Sequence, residues 1–209
     1  MRSSANRPAS RVALALALTV AAGLGASGCR DDAPVHDRPT RTDLISRAGA
    51  PLTLIGPTPG VGRRAPDAVL HDGALKPVRL SSLKATLLVL SVVPSIDTRV
   101  CEAQTHHMSD AIATMPPGTT VVTISRDLPF AQGRFAEEAM TKTLMLSDYK
   151  EREFGQAFGL EVAETGLLAR SVWVIAADGT IVYRELVADQ TQEPDYAALT
   201  AAIAAATPR

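Results

Sequence analysis

The feature that most constrains the fold is a short apolar run that leads into a helix containing a cysteine. Thr86–Val93 (TLLVLSVV) is rich in Leu and Val and has the length of a strand buried on both faces. It ends at Pro94, and after a polar loop the spacing of apolar residues predicts a helix from Cys101 onward. With Asp97 or Thr98 as its cap, that helix carries Cys101 in its first turn, where the unpaired backbone N–H groups and the helix dipole stabilise a thiolate.

A threonine one turn before the cysteine indicates a nucleophile for an oxygen-bearing substrate. Thr98 precedes Cys101 by three residues, so its hydroxyl is able to hold an incoming oxygen beside the sulfur. The commonest role of a free cysteine is that of a small buried hydrophobic residue, and this alternative stays open from the residues alone. A dithiol reductase needs C-x-x-C, and because Thr98 occupies the place of the first cysteine, that chemistry is excluded.

The rest of the chain alternates strands and helices, which predicts an α/β domain with a central sheet covered by helices and an N-terminal β-hairpin. At 209 residues, 46% of them hydrophobic, the chain suits one globular domain with additional N-terminal sequence. The predicted strands are Leu44–Ser46, Leu52–Ile55, Ala68–His71, Val78–Leu80, Thr86–Val93, Thr120–Ile124, Thr143–Leu146, Val172–Ile175 and Ile181–Tyr183, and the predicted helices start at Cys101 and Pro129 and span Glu151–Phe158 and Tyr196–Ala205.

Several separated segments resemble one subfamily of the peroxiredoxins. PSIDTRVCEA (94–103) resembles the active-site segment of the bacterial thiol peroxidases. ISRDLPFAQGRF (124–135), GLLARSVWVI (166–175) and EPDYAAL (193–199) are similar to the same subfamily in the same order, so the resemblance covers about residues 48–203. It implies a thioredoxin-like fold with a mixed sheet, thiol-dependent reduction of hydrogen peroxide or of alkyl and lipid hydroperoxides without a cofactor, and a homodimer.

The resemblance also implies roles for four residues of the site. Cys101 attacks the peroxide as a thiolate and becomes a sulfenic acid. Thr98 holds the peroxide through its hydroxyl, and Pro94 shields the sulfur from water. Arg170 matches the family's active-site arginine, which stabilises the thiolate and the charge that develops across the O–O bond. From the local sequence alone, Arg170 is equally well a surface ion-pair residue at the end of a strand.

Two further residues are expected at the substrate. The backbone N–H groups near Val100 are expected to contact the reacting oxygen, in the manner of an oxyanion hole. Phe135 is most simply a core residue, and as an alternative we expect it to line the peroxide pocket. Trp173 is expected to be core.

The chain departs from the subfamily at the resolving cysteine. Ala136 stands where that cysteine is expected, and the only other cysteine is Cys29. An internal disulfide then requires that Cys29 is unlipidated and reaches Cys101 on its tether, and an intermolecular route is the other alternative to an external thiol. We therefore expect single-cysteine turnover, in which an external thiol, either a thioredoxin-like protein or a small thiol, reduces the sulfenic acid. The alternative is a non-turnover redox sensor or a membrane-tethered binding module that has kept the fold.

The N-terminus has the pattern of an export signal. Basic residues precede an apolar segment, Val12–Leu24, that is short for a membrane-spanning helix. Ala26-Ser27-Gly28-Cys29 resembles a bacterial lipoprotein signal, in which Cys29 is lipidated, although Ala26 replaces the usual leucine. Asp31 resembles the signal that retains lipoproteins at the inner membrane. Secretion with cleavage near Ala26 and an uncleaved anchor are the alternatives.

These patterns predict a signal peptide at residues 1–28, a flexible tether at 29–45 and the peroxiredoxin domain at 46–209. Removal of residues 1–28 leaves 18 basic and 22 acidic residues, a formal charge of −4. Because no basic stripe remains, a nucleic-acid partner is not expected. His106, His107 and Asp110 suggest a metal site because His106 and Asp110 share a helical face, but with no third ligand in view we expect a solvated surface and no metal site.

Overall fold

The computed structural model describes residues 38–207, in which ten strands and four α-helices are arranged around two sheets. The predicted signal peptide, Cys29 and most of the predicted tether lie outside these residues. The elements are β1 (Thr40–Arg47), β2 (Ala50–Ile55), β3 (Val69–His71), β4 (Pro77–Arg79), β5 (Leu87–Val92), α1 (Arg99–Ala111), β6 (Thr119–Ser125), α2 (Pro129–Glu138), β7 (Leu144–Ser147), α3 (Glu153–Ala157), β8 (Glu161–Val162), β9 (Ser171–Ala176), β10 (Ile181–Leu186) and α4 (Tyr196–Ala206).

The larger sheet is mixed and has the strand order β10-β9-β5-β6-β7-β3-β4. β5, β6 and β7 pair in parallel, and the other neighbours pair antiparallel. β5 is an interior strand between β9 and β6, and all of its residues are buried, as the apolar run predicts. Since parallel strands end at the same edge, the loop after β5 and the loop after β6 lie side by side there. The first of these loops leads to Cys101.

The sequence of β5 is a continuous apolar run because other elements pack against both faces of the strand. On one face, Met108 of α1 and Leu199 and Ile203 of α4 pack against Leu87 and Val89. The other face is covered by α3 and the smaller sheet. There the rings of Phe154 and Phe158 stack, with centroids 4.4 Å apart, and Phe158 meets Trp173 edge-on at 5.2 Å. The buried Trp173 is a core residue, as expected.

The smaller sheet, β1-β2-β8, contains the predicted N-terminal hairpin. β1 starts at Thr40, so residues 40–45, which the sequence prediction placed in the tether, belong to the domain. The start of β1 could not be predicted from the sequence because β1 is an exposed strand with little apolar alternation. It is held partly by the Arg41 side chain, whose guanidinium donates to the carbonyl oxygens of Gly56 and Gly159.

Both sheets and their core clusters lie between residues 40 and 206, so this part of the chain has a complete core of its own. Within the described range, no helix combines the length and the apolar character needed to cross a membrane.

Candidate active site

Cys101 lies in the first turn of α1, as predicted. The helix begins at Arg99 with Thr98 as the N-cap residue, and the Glu102 N–H donates to the Thr98 carbonyl at 2.9 Å. Cys101 is a free thiol with 0% exposure, packed with Val93 and other apolar residues. A nucleophile at this position is shielded from water and meets the positive end of the helix dipole.

The hydroxyl of Thr98 is directed at the sulfur. Its Oγ1 donates to Cys101 Sγ at 2.9 Å, and the Ser95 carbonyl oxygen, at 3.4 Å, is the alternative acceptor for the same proton. Thr98 is the N-cap residue of α1, as one of the two alternatives predicted, but the helix start has no side-chain cap hydrogen bond. The Thr98 hydroxyl contacts the sulfur instead.

Arg170 contacts the sulfur from the other side. It immediately precedes β9, and its side chain is almost fully buried, which rules out a surface ion pair. Its Nη2 donates to Cys101 Sγ at 3.3 Å. Thr98 in the helix cap and Arg170 beside the central sheet therefore place two donors at one sulfur, although they are far apart in the sequence.

Two glutamines hold Arg170 in this position, and the sequence prediction missed both. Gln104 is buried; its Oε1 accepts from Arg170 Nη1 at 2.7 Å, and its Nε2 donates to Ser91 Oγ at 2.9 Å. The backbone oxygen of Gln190 accepts from Nε and Nη2 of Arg170 at 3.3 and 3.2 Å. A signal for Gln104 existed, because residues three apart on a helix share a face and Gln104 follows Cys101 by three. No local signal marks Gln190.

The loop before Cys101 is held by Asp127, which follows β6. One Asp127 carboxylate oxygen accepts from Ser95 Oγ and the other from the Ile96 N–H, both at 2.8 Å. This contact follows from the topology, because the loops after β5 and β6 leave the same edge of the sheet. Asp127 fixes the segment that carries Pro94 and Thr98.

A cleft leads from the surface to Thr98 and Arg170. Pro94 and Val100, both expected at the site, line it. Phe135 does not line this cleft; it packs against the cluster that contains Cys101, Val93 and Met145. Phe135 is partly buried there, and its role at the peroxide stays a prediction. Ala136 packs against the same cluster.

An acidic group links α1 to the start of α4 near Arg170. The Glu193 carboxylate accepts from Tyr196 Oη at 2.6 Å and lies 2.8 Å from His107 Nδ1. Partial burial opposes ionisation, but hydrogen bonds from Tyr196 and His107 hold the pKa of Glu193 below its usual range. Burial, followed by the contact with Glu193, raises the pKa of Tyr196.

His106 and His107 each lie near a single glutamate. His106 Nε2 lies 3.9 Å from a Glu102 carboxylate oxygen, in an exposed pair one turn apart. Among residues 38–207, no three His, Cys, Asp or Glu side chains come together in a metal-binding arrangement.

Comparison with known proteins agrees with this geometry. The family model described as Redoxin matches residues 60–200, which is more than half of the chain. The chain belongs to the redoxin family. Thiol peroxidase from Bacillus subtilis is 41% identical to this redoxin over 153 residues, covering 73% of the chain and 91% of the relative. Thiol peroxidase from Halalkalibacterium halodurans is 42% identical over 153 residues, covering 73% and 92%.

The solved structures confirm the predicted fold class. A peroxiredoxin-like protein from Aquifex aeolicus superposes on this redoxin with a TM-score of 0.73 at 35% identity, covering 79% of this chain and 97% of that protein. A thiol peroxidase from Chromobacterium violaceum has a TM-score of 0.68 at 19% identity, covering 77% and 95%, and shares the fold. The chain therefore has the thioredoxin-like fold of the peroxiredoxins, and its sequence relatives support the thiol peroxidase subfamily.

Proposed function

We propose that this redoxin is a thiol peroxidase that reduces hydroperoxides at Cys101. The observation that carries the proposal is the position of Sγ between the Thr98 hydroxyl and the Arg170 guanidinium. The Cys101 thiolate attacks the nearer peroxide oxygen and the O–O bond breaks. Cys101 becomes a sulfenic acid, and the leaving oxygen takes a proton to depart as water or an alcohol.

Each contact at the sulfur has a role in this step. When peroxide enters, the Thr98 hydroxyl holds an oxygen in line with the sulfur. Arg170 stabilises the thiolate and then the charge on the departing oxygen, with its guanidinium fixed by Gln104 and Gln190. Pro94 lines the cleft and covers the approach to the sulfur. The N–H groups of Val100 and Cys101, in the first turn of α1, add donors for the reacting oxygen.

We further propose that turnover uses one cysteine and an external thiol. Cys101 is the only cysteine of residues 38–207, and Ala136 occupies the position of the family's resolving cysteine. A first external thiol condenses with the sulfenic acid to form a mixed disulfide and water. A second thiol then releases Cys101 and the oxidised disulfide. The reductant is a small thiol or a thioredoxin-like protein.

A peroxidase assay tests the function. Residues 31–209, which include the complete domain, would be given hydrogen peroxide or cumene hydroperoxide with dithiothreitol or thioredoxin as reductant. We expect catalytic peroxide loss that disappears in Cys101→Ser. Loss no faster than that given by dithiothreitol alone would refute the enzyme.

The burial of Cys101 supports a second candidate function, that of a redox sensor or binding module. A sulfenic acid on a side chain with 0% exposure is hard for a large reductant to reach, which suits a redox sensor or binding module. The same assay separates the two functions. A sensor is oxidised once by peroxide and is not recycled by either reductant, whereas the peroxidase turns over.

We also propose that the protein is exported and anchored by a lipid on Cys29, facing the periplasm at the inner membrane. The support is the basic and apolar N-terminal pattern and the Ala26–Cys29 motif, followed by Asp31. Metabolic labelling with a palmitate analogue in a bacterial host tests this. Membrane-associated label that is lost in Cys29→Ala is expected, and unlabelled protein in the soluble fraction would contradict the anchor.

A homodimer is the quaternary structure we propose. Its support is the family resemblance, together with two large apolar side chains exposed at the start of α2, Leu128 at 54% and Phe130 at 64%. Sedimentation of residues 31–209 is expected to give twice the monomer mass, and Phe130→Asp is expected to shift it toward the monomer. A monomeric wild type would rule the dimer out.

A further inference from the structure

The cleft that leads to Thr98 and Arg170 is lined by an apolar wall and two arginines. The wall consists of Leu52, Val100, Val162, Leu167 and Leu168. Hydrogen peroxide has no apolar part to fill such a wall, whereas an alkyl chain would bury its surface there. The cleft therefore has room for more of a substrate than its peroxide group.

Among residues 38–207, the charged side chains that line this cleft are those of Arg47 and Arg170, and no acid of this part of the chain lines it. Arg170 is occupied by Cys101, Gln104 and Gln190. Arg47 is exposed at the end of β1, and in the described part of the chain it forms no ion pair with an acid. Arg47 is therefore the cation in this cleft that remains available to a ligand.

Within the described residues, none of the acids that adjoin cleft-lining residues in the sequence forms an ion pair with Arg47; these acids are Asp97, Glu161, Glu164 and Asp189. Asp189 accepts from the Thr191 N–H at 3.0 Å and from its hydroxyl at 2.8 Å. Both carboxylate oxygens of Glu164 lie 3.0 Å from the Thr53 N–H. Neither carboxylate neutralises Arg47.

The fold ties Arg47 to the reacting centre. The Ser46 carbonyl accepts from the Gln190 N–H at 2.8 Å, and the Ser46 N–H donates to Ala188 at 2.7 Å. Gln190 in turn holds Arg170. Because β1 is joined to the segment that fixes the active-site arginine, the backbone that carries Arg47 has a defined position at the cleft.

We propose that this cleft selects hydroperoxides that carry a carboxylate on their alkyl chain, such as free fatty-acid hydroperoxides, and that Arg47 is the residue that determines this specificity. The inference rests on the proposed peroxidase function. The peroxide group lies at Thr98 and Arg170, the alkyl chain along the apolar wall, and the carboxylate at Arg47, where a guanidinium pairs with both oxygens. The chemistry is unchanged: Cys101 gains the oxygen and the fatty acid leaves as a hydroxy acid.

The test compares linoleic acid hydroperoxide with its methyl ester, which lacks the charge. Both are presented in the same non-ionic detergent to residues 31–209, with dithiothreitol as reductant, and kcat/KM is measured for each. We expect the wild type to prefer the acid by about threefold to tenfold, and the preference to fall with salt. Arg47→Gln is expected to bring the ratio to about one, and Arg47→Lys to keep part of it. Arg63→Gln, an exposed arginine outside the cleft, is the matched control and keeps the wild-type ratio.

A binding measurement removes the dependence on turnover. Calorimetry with Cys101→Ser and the hydroxy fatty acid product is expected to give tighter binding than with its methyl ester, and Arg47→Gln in that background is expected to abolish the difference. Equal kcat/KM for acid and ester in a wild type that reduces hydrogen peroxide would overturn the specificity alone. A wild-type ratio of kcat/KM for acid over ester in Arg47→Gln would also overturn the specificity. A wild type that reduces no peroxide would overturn the proposed function as well.

Discussion

The backbone oxygen of Gln190 accepts hydrogen bonds from both Nε and Nη2 of Arg170, the residue whose Nη2 also contacts the sulfur of Cys101. The Gln190 side chain reinforces this contact. Its Oε1 accepts from the Arg170 N–H and its Nε2 donates to the Val187 carbonyl. Gln190 is thus a positioning residue that acts through Arg170.

Gln190→Leu is expected to leave the buried Arg170 N–H without its acceptor. The free energy of unfolding should fall by about 1–3 kcal/mol, and kcat/KM for hydrogen peroxide should fall about tenfold because the guanidinium is less well fixed. Urea unfolding and stopped-flow peroxide consumption measure the two effects. Gln192→Leu, an exposed glutamine on the same segment, is the control. Unchanged kinetics in Gln190→Leu would show that the backbone oxygen alone fixes Arg170.

Thr98→Val removes the hydroxyl that contacts Sγ while keeping the shape of the side chain. We expect peroxide reduction to slow by about 100-fold, since a preorganised donor at the reacting atoms is lost. Thr98→Ser should retain most of the rate. Because the hydroxyl does not cap α1, the thermal midpoint of Thr98→Val should stay close to that of the wild type. A large drop in stability with little loss of rate would assign Thr98 to the helix instead.

Much of this arrangement could be predicted from the sequence, for physical reasons that differ between elements. β5 and α1 were predictable because a continuous apolar run and an N-cap are local signals. β8 was missed because it consists of Glu161 and Val162 alone and exists only through its pairing with β2. The start of β1 was missed because an exposed strand needs no apolar alternation.

The residues of the site also differ in whether a local sequence signal predicted them. Cys101 and Thr98 lie within one turn of helix, so their proximity follows from spacing. The contact between Arg170 and Cys101 was expected only through the family resemblance. A surface arginine that forms an ion pair at the end of a strand would have the same local sequence. Gln190 and the Arg47 side of the cleft depend on how the small sheet packs against the large one, and no local pattern encodes that.

Ala136→Cys should restore an internal resolving thiol. Ala136 packs against the cluster that contains Cys101, so we expect a thiol introduced there to reach the sulfenic acid. We expect one equivalent of hydrogen peroxide to produce an intramolecular disulfide in place of a persisting sulfenic acid, read by intact mass and by loss of both thiols. Ala139→Cys, at the end of the same helix, is the control. Persistence of the sulfenic acid in Ala136→Cys would mean that α2 cannot present the thiol.

Asp148 should make stability depend on pH. Burial raises the pKa of its carboxyl to about 6, against the opposing effects of the Gly155 N–H and the Arg126 guanidinium. Because this folded pKa lies above the unfolded value of about 3.9, the folded protein binds the extra proton between these values. The stability that this proton contributes is complete below about pH 4 and is lost as pH rises through about 6.

Urea unfolding of the wild type and Asp148→Asn from about pH 4 to 7 tests this. Asparagine cannot titrate, so the wild type should lose about 2–3 kcal/mol relative to the variant across that range. Carboxyls whose pKa values are lowered, such as Asp67 and Glu164, make the free energy of unfolding change with pH in the opposite direction. Their effect is the same in the wild type and the variant, so it cancels when the two are compared. If the difference in the free energy of unfolding between the wild type and Asp148→Asn stayed constant with pH, Asp148 would be ionised throughout.

The most direct test of the central claim is a single turnover of residues 31–209 and their Cys101→Ser variant. Each receives one equivalent of hydrogen peroxide, peroxide loss is followed by stopped flow, and intact mass is read before and after addition of a dithiol. We predict fast loss that requires Cys101, one added oxygen atom, and its removal by the dithiol. Oxidation no faster than that of a free thiol in solution would contradict an activated site formed by Thr98, Cys101 and Arg170.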